Sequence, residues 1–159
     1  MKIYFLHEEQ FLPVTISKAW DFFSSAENLP VITPPGLNFK IVSDVKGKEI
    51  YDGMLIKYKV SPLFKIPLSW KSEIASVNKP YSFTDRQIKG PYQLWQHTHD
   101  FVEKNDGVLM KDTVQYGLPF GVLGELMHFF IVRKKLKDIF NYRKQILNQI
   151  FTRHANNIN

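Results

Sequence analysis

Two histidines stand two residues apart in the run Trp95-Gln96-His97-Thr98-His99-Asp100-Phe101. Alternate side chains of an extended strand leave on one face, so both imidazoles share a side with Trp95 and Phe101, opposite Gln96, Thr98 and Asp100. The neighbouring runs sort the same way. Tyr81, Phe83, Asp85 and Gln87 oppose Ser82, Thr84, Arg86 and Ile88, and Met110, Asp112, Val114 and Tyr116 oppose Lys111, Thr113 and Gln115. The second sets suit water, so the first sets are expected to point inward. That places Asp85, Gln87, His97, His99 and Asp112 among aromatic rings. An unpaired buried polar group costs about 1–3 kcal/mol, and an unpaired charge costs more. These five groups must therefore bond to one another, be hydrated in a cavity, or both. Two compatible readings follow: an internal His–Asp and Gln–Asp network that fixes strand register, or the wall of a hydrated pocket that orients a ligand.

The chemistry open to such a cluster is limited. Histidine titrates near neutral pH, so His97 or His99, oriented by Asp85 or Asp112, suits acid–base work beside a polarised carbonyl. Several pairings fit equally, and no catalytic residue is assigned. His97-x-His99 with Asp112 also offers nitrogen and oxygen ligands on one face. Zinc, however, wants tight tetrahedral convergence, and the histidines are better read as network members. No metal and no cofactor are expected. The chain has no cysteine, which excludes disulfides, cysteine nucleophiles and thiolate metal sites. Gly90, Gly121 and Gly124 read as turn and helix-entry residues, because their spacing and strand context are wrong for a phosphate loop.

Elements able to position this cluster can be read from periodicity and turn residues. A strand over residues 3–12 ends at Pro13. Ser17 is expected to cap a short helix over 18–23, and residues 26–31 form another turn or two before Thr33-Pro34-Pro35-Gly36 stops them. Six strands follow, over 37–43, 50–60, 66–77, 81–88, 92–102 and 108–116. The last hairpin is marked by Asn105-Asp106-Gly107, where Asp-Gly supplies positive φ. A helix from Gly121 to about Phe151 carries an apolar stripe of Leu126, Phe129, Phe130, Leu136, Ile139, Phe140, Leu147, Ile150 and Phe151. Short links make neighbouring strands antiparallel. A sheet with one apolar face needs a cover, and this helix, about 45 Å long at 1.5 Å per residue, is the only element large enough. The expected fold is α+β: a seven-stranded curved antiparallel sheet wrapped around a long C-terminal helix. In the earlier strands Ile56, Tyr58 and Val60 face inward opposite Lys57 and Lys59, as do Leu68, Trp70 and Ile74 opposite Ser69, Lys71 and Glu73.

The same residues carry a resemblance. Trp70, Phe83-x-Asp85-x-Gln87, Gly90-Pro91, Trp95-x-His97-x-His99-x-Phe101, Asp112-x-Val114-x-Tyr116 and Gly117-Leu118-Pro119 together resemble the SRPBCC ligand-binding superfamily. They are most similar to its bacterial cyclase/dehydrase-like branch. The opening segment, Pro13-Val14, Ala19-Trp20-Asp21-Phe22-Phe23, Leu29 and Thr33-Pro34-Pro35, fits too, so the resemblance spans about the whole chain. It implies the helix-grip fold of lipid-transfer START domains and plant pathogenesis-related proteins, with a cavity between sheet and helix that takes apolar or amphipathic molecules. Relatives range from lipid carriers and hormone receptors to aromatase/cyclases, so the fold implies no single chemistry.

The chain has 159 residues, 44% apolar and 23% charged, which fits a single domain over residues 1–159. Its 13 Phe, 7 Tyr and 3 Trp need either a very bulky core or an aromatic-walled pocket. The expected function is binding of a small apolar or amphipathic molecule, with Tyr58, Trp70, Phe83, Asp85, Gln87, Trp95, His97, His99, Phe101, Asp112 and Tyr116 around it. The alternative is a polyketide cyclase or dehydratase using His/Asp chemistry in the same cavity. Lys and Arg outnumber Asp and Glu by 21 to 15. Much of the excess lies at Arg133, Lys134, Lys135, Lys137, Arg143, Lys144 and Arg153, a solvated helix face. Following His128-Phe129-Phe130-Ile131-Val132, that face also suits weak docking on anionic lipid. Nucleic acid is not expected, because the outer face of the sheet lacks basic–aromatic interleaving. No stretch approaches the roughly 20 apolar residues of a membrane span, and no signal peptide is visible, so a cytoplasmic location is expected. Trp20, Phe22 and Phe23 read as core or pocket lid, His7, His128 and His154 as surface or helix-packing residues, and 61–65 as an entrance flap or a packed loop.

Overall fold

The structure, a computed structural model, describes residues 1–62 and 65–156. Leu63 and Phe64 of the expected flap, and residues 157–159 of the closing segment, lie outside the described residues. The strands are β1 (Ile3–Leu12), β2 (Lys40–Ile41), β3 (Leu55–Val60), β4 (Leu68–Asn78), β5 (Ser82–Lys89), β6 (Leu94–Lys104) and β7 (Gly107–Gly117). They form one antiparallel sheet in the order β1-β7-β6-β5-β4-β3-β2. The helices are α1 (Ile16–Phe23), α2 (Gly121–Met127) and α3 (Arg133–Asn156), with a π-helical turn, His128–Val132, joining the last two. This is the expected helix-grip architecture.

Local chemistry explains most element ends. The first helix starts two residues earlier than expected: Thr15, not Ser17, is the cap, its hydroxyl accepting from the Lys18 N–H at 3.3 Å. Strand β2 shrinks to two residues, because the 3-10 turn Pro35–Leu37 and left-handed Asn38 occupy the start of the expected strand. Strand β3 begins at Leu55 rather than residue 50, since Gly53, with φ of 85°, turns the chain. The last hairpin forms with Lys104 paired to Gly107, so Asn105 and Asp106 make a two-residue loop. Gly107 of the expected Asp-Gly pair has a positive φ, 158°, while Asn105 and Asp106 do not. Register shifts after Lys71 and Ala75 interrupt the β4–β5 pairing, a device that bends and twists a strand.

The inward face follows the alternation. Phe83, His97, His99, Phe101, Met110, Asp112, Val114 and Tyr116 are buried, while Gln96 and Lys104 reach water; the pattern lapses at Glu103, which is on the inward parity but exposed at the strand end, and at Thr84, an outer-set residue buried against Thr98. Tyr81, expected on the inward face, is instead exposed, because it lies in the turn before β5, its N–H donating to the Asn78 carbonyl at 2.7 Å. Leu136, Phe140, Leu147 and Phe151 bury one line of α3. Upstream, that line continues through Gly124, His128 and Val132, at four-residue steps. Leu126, Phe129 and Phe130 lie off it and are exposed, which corrects the first third of the expected stripe. Gly124 fits against the Leu118–Pro119 segment so closely that an added Cβ would meet the Pro119 carbonyl oxygen.

Candidate functional site

A cavity of about 210 Å³ lies between the sheet and α3. Tyr58, Trp70, Phe83, Asp85, Trp95, His97 and His99 line it. One side is a continuous set of rings. Phe39 lies 4.8 Å from Tyr58, Tyr58 stacks on Trp70 at 5.7 Å, and Trp70 meets Trp95 edge-on at 5.4 Å and Tyr92 at 5.5 Å between centroids. Leu136, Ile139 and Phe140 of α3 close the opposite side.

The other expected site residues lie elsewhere. Gln87 holds the β5–β6 turn: its Nε2 donates to the Tyr92 carbonyl at 2.6 Å, and the Tyr92 N–H donates to its Oε1 at 3.3 Å. Phe101 packs in the core against Trp20, Phe23 and Phe83. Tyr116 is hydrogen-bonded to His128 Nε2 at 2.9 Å, beyond the cavity wall. Asp112 sits behind the two imidazoles rather than on the surface of the cavity.

Strand register builds the polar end. Asp85 is paired with His97 across β5 and β6, and Asp112 with His99 across β6 and β7. Each carboxylate therefore stands beside one histidine and diagonal to the other, within side-chain reach of both. Asp112 Oδ1 accepts from His97 Nε2 at 2.9 Å and lies 2.8 Å from His99 Nδ1. Asp85 Oδ2 lies on the other side, 3.5 Å from His97 Nδ1 and 3.9 Å from His99 Nε2. The imidazole centroids are 3.9 Å apart.

Arg143 completes the cluster from α3. Its Nη2 is 3.7 Å from Asp112 Oδ1 and 3.4 Å from His99 Nδ1, and its guanidinium lies over the rings of Phe23 and Phe140. Arg143, expected on the solvated basic face of the helix, is instead buried. A signal was present, because Arg143 occupies a position in the buried series Leu136, Phe140, Arg143, Leu147, Phe151, where a charge needs an internal partner.

The cluster splits the two histidines electrostatically. Burial, with the neighbouring charge of His99, pushes His97 down against the pull of both carboxylates. Burial also works against charge on His99, yet the negative charge and bonding of Asp112, helped by Asp85, push it up. For Asp112, burial favours the neutral acid, but Arg143 and the two histidines outweigh it and hold the carboxyl well below its ordinary range. At the aromatic side, burial and the charge of Asp85 push the Tyr58 hydroxyl well up, despite its contact with Ser72.

No protein-family model matches the sequence, and no curated protein matches it. Solved structures do share its fold. StfQ, a di-domain ARO/CYC from the steffimycin biosynthetic pathway, superposes with a TM-score of 0.74 at 11% identity over 97% of this chain and 52% of its own. Norcoclaurine synthase from Thalictrum flavum, in complex with dopamine and hydroxybenzaldehyde, superposes with a TM-score of 0.65 at 14% identity, covering 93% of this chain and 88% of the other. Ginseng major latex-like protein 151 from Panax ginseng gives 0.67 at 12% identity, over 94% of this chain and 97% of the other. At these identities the likeness is one of fold. No helix among the described residues is long and apolar enough to cross a membrane.

Proposed function

We propose that the chain is a member of the SRPBCC superfamily, of the bacterial cyclase/dehydrase-like kind, and that it binds a small amphipathic molecule in the cavity between sheet and α3. One observation carries this reading: the cavity has an aromatic side, Phe39, Tyr58, Trp70, Tyr92 and Trp95, and a polar end, Asp85, His97 and His99. Rings supply apolar burial at about 25 cal/mol per Å², and a few polar groups orient the ligand. A hydroxyl, keto or carboxyl group fits the polar end. The ginseng and Thalictrum proteins and StfQ support the general kind through their fold. Denaturing extraction of the purified chain followed by mass spectrometry is expected to release a small molecule, and Ile139→Trp, which fills the cavity, is expected to abolish its retention. Equal retention by that variant would place the ligand elsewhere.

The same end supports a second reading, a cyclase or dehydratase step on a bound carbonyl compound. The specific observation is the paired imidazoles: His97, held neutral by burial and by His99, is available as a base, while His99 is poised to carry a proton. Turnover of a poly-β-keto model compound, lost in His97→Gln, would favour it over simple carriage.

Loading from a lipid surface fits the exterior. Phe120, Val122, Leu123, Leu126, Phe129 and Phe130 are each more than half exposed. Exposed Arg133, Lys134, Lys135 and Lys137 follow directly. Apolar insertion next to a basic cluster complements anionic lipid. Co-sedimentation with phosphatidylserine-containing vesicles at low salt is expected, with loss in Phe129→Ser/Phe130→Ser; equal binding to pure phosphatidylcholine would exclude the electrostatic part.

A further inference from the structure

We propose that Asp85, His97 and His99 form a binding site for a zinc-class divalent ion at the polar end of the cavity. Asp85 Oδ2 is 3.5 Å from His97 Nδ1 and 3.9 Å from His99 Nε2, and one ligand atom from each of the three residues lies within 4.8 Å of the others. Ligands about 2.0–2.1 Å from a shared tetrahedral ion are themselves about 3.3–3.5 Å apart, so small side-chain rotations close the triangle. All three residues reach the cavity, which leaves a fourth position open to water or to the polar group of a ligand.

The second observation lies behind the rings. The nitrogen of each imidazole that faces away from Asp85 faces Asp112 Oδ1, at 2.9 Å for His97 Nε2 and 2.8 Å for His99 Nδ1. A carboxylate behind a histidine fixes its orientation and directs its free lone pair at the metal. Here one buried carboxylate does this for two histidines. Arg143 also lines the cavity, but its Nη2 approaches Asp112 Oδ1 and His99 Nδ1, on the side of the ring turned from Asp85, so its charge balances the outer carboxylate without occupying the ligand triangle. The strand spacing of the histidines suggests Asp112 as the third ligand; the register makes Asp85 the ligand and Asp112 its support.

The test uses the full chain, stripped with a chelator and titrated with Zn²⁺ by calorimetry and with Co²⁺ by visible absorption. No organic ligand is involved, so the outcome is independent of whether the cavity carries one. One equivalent per chain is expected, with the intense visible bands of tetrahedral cobalt. Asp112→Asn should weaken binding about 10–100-fold, as loss of outer-sphere support does. Asp85→Asn should weaken it further, and because Asp85 is only partly buried, this variant keeps the test valid if the histidine variants fail to fold. Absence of stoichiometric binding by the folded wild-type chain, or full-strength binding by Asp85→Asn, overturns the proposal.

Discussion

Asp112 carries the electrostatics of the polar cluster. It is buried beneath two imidazoles and a guanidinium, and its carboxyl is held well below its ordinary range. A depressed carboxyl contributes stability above its unfolded value, 3.8, and loses it as pH falls through the folded value. Asp112→Asn is therefore expected to flatten the acid limb of a stability–pH curve measured by urea unfolding. Asp112→Ala, which strands Arg143, should cost about 3–5 kcal/mol by the same measurement. The histidines carry opposite signs. His99, raised, contributes stability below pH 6.5 that is lost as pH rises through its folded value; His97, lowered, contributes stability above 6.5 that is lost as pH falls through its own. The groups facing them are Asp85, Asp112 and Arg143. Melting temperatures between pH 5.5 and 8 should consequently decline more steeply with rising pH in His97→Gln, whereas His99→Gln should lose that decline. At this scale the sequence was largely legible, because strand alternation alone turned these residues inward. Arg143 escaped that reading because a helix pattern shows a charge on the stripe without showing what it meets.

Among the elements, α3 is the one on which the cavity depends. Its buried line runs through Leu136, Phe140, Arg143 and Leu147. Leu147 is fully buried, and Leu147→Ala is expected to cost about 2–5 kcal/mol in chemical denaturation. Arg143→Leu keeps the bulk but removes the cation that holds Asp112 ionised; acid unfolding should then begin at higher pH than in the wild type. At the other end of the helical segment, Gly124→Ala would push a methyl into the Pro119 carbonyl. Overpacking of this kind costs about 1–3 kcal/mol, visible as a lowered melting temperature. Strand identities were readable from turns and alternation, but their ends were not: Asn38 and Gly53 delay the starts of β2 and β3 by backbone conformation, which a β-rich composition hides. The exposure of Phe129 and Phe130 was also hidden, since a wide apolar helix pattern does not say how far the sheet beneath it extends.

On the scale of the molecule, the sheet encloses space because one long helix spans it while bulky rings hold the walls apart. Trp70 and Trp95 line that space and Trp20 does not. Ligand uptake should therefore change the fluorescence of Trp20→Phe, which keeps both reporters, but not that of Trp70→Phe/Trp95→Phe. The element order, the antiparallel sheet, the covering helix and the inward set Phe83, Asp85, His97, His99 and Asp112 were determined by the sequence itself, because periodicity and turn chemistry are local properties. Tertiary structure alone decided that Asp85 reaches the cavity while Asp112 stays behind the imidazoles, that Gln87 and Tyr116 turn to other partners, and that Arg143 joins from the helix. Those outcomes depend on register between strands and on the rotation of α3 over them, and both are set by contacts between residues far apart in the chain.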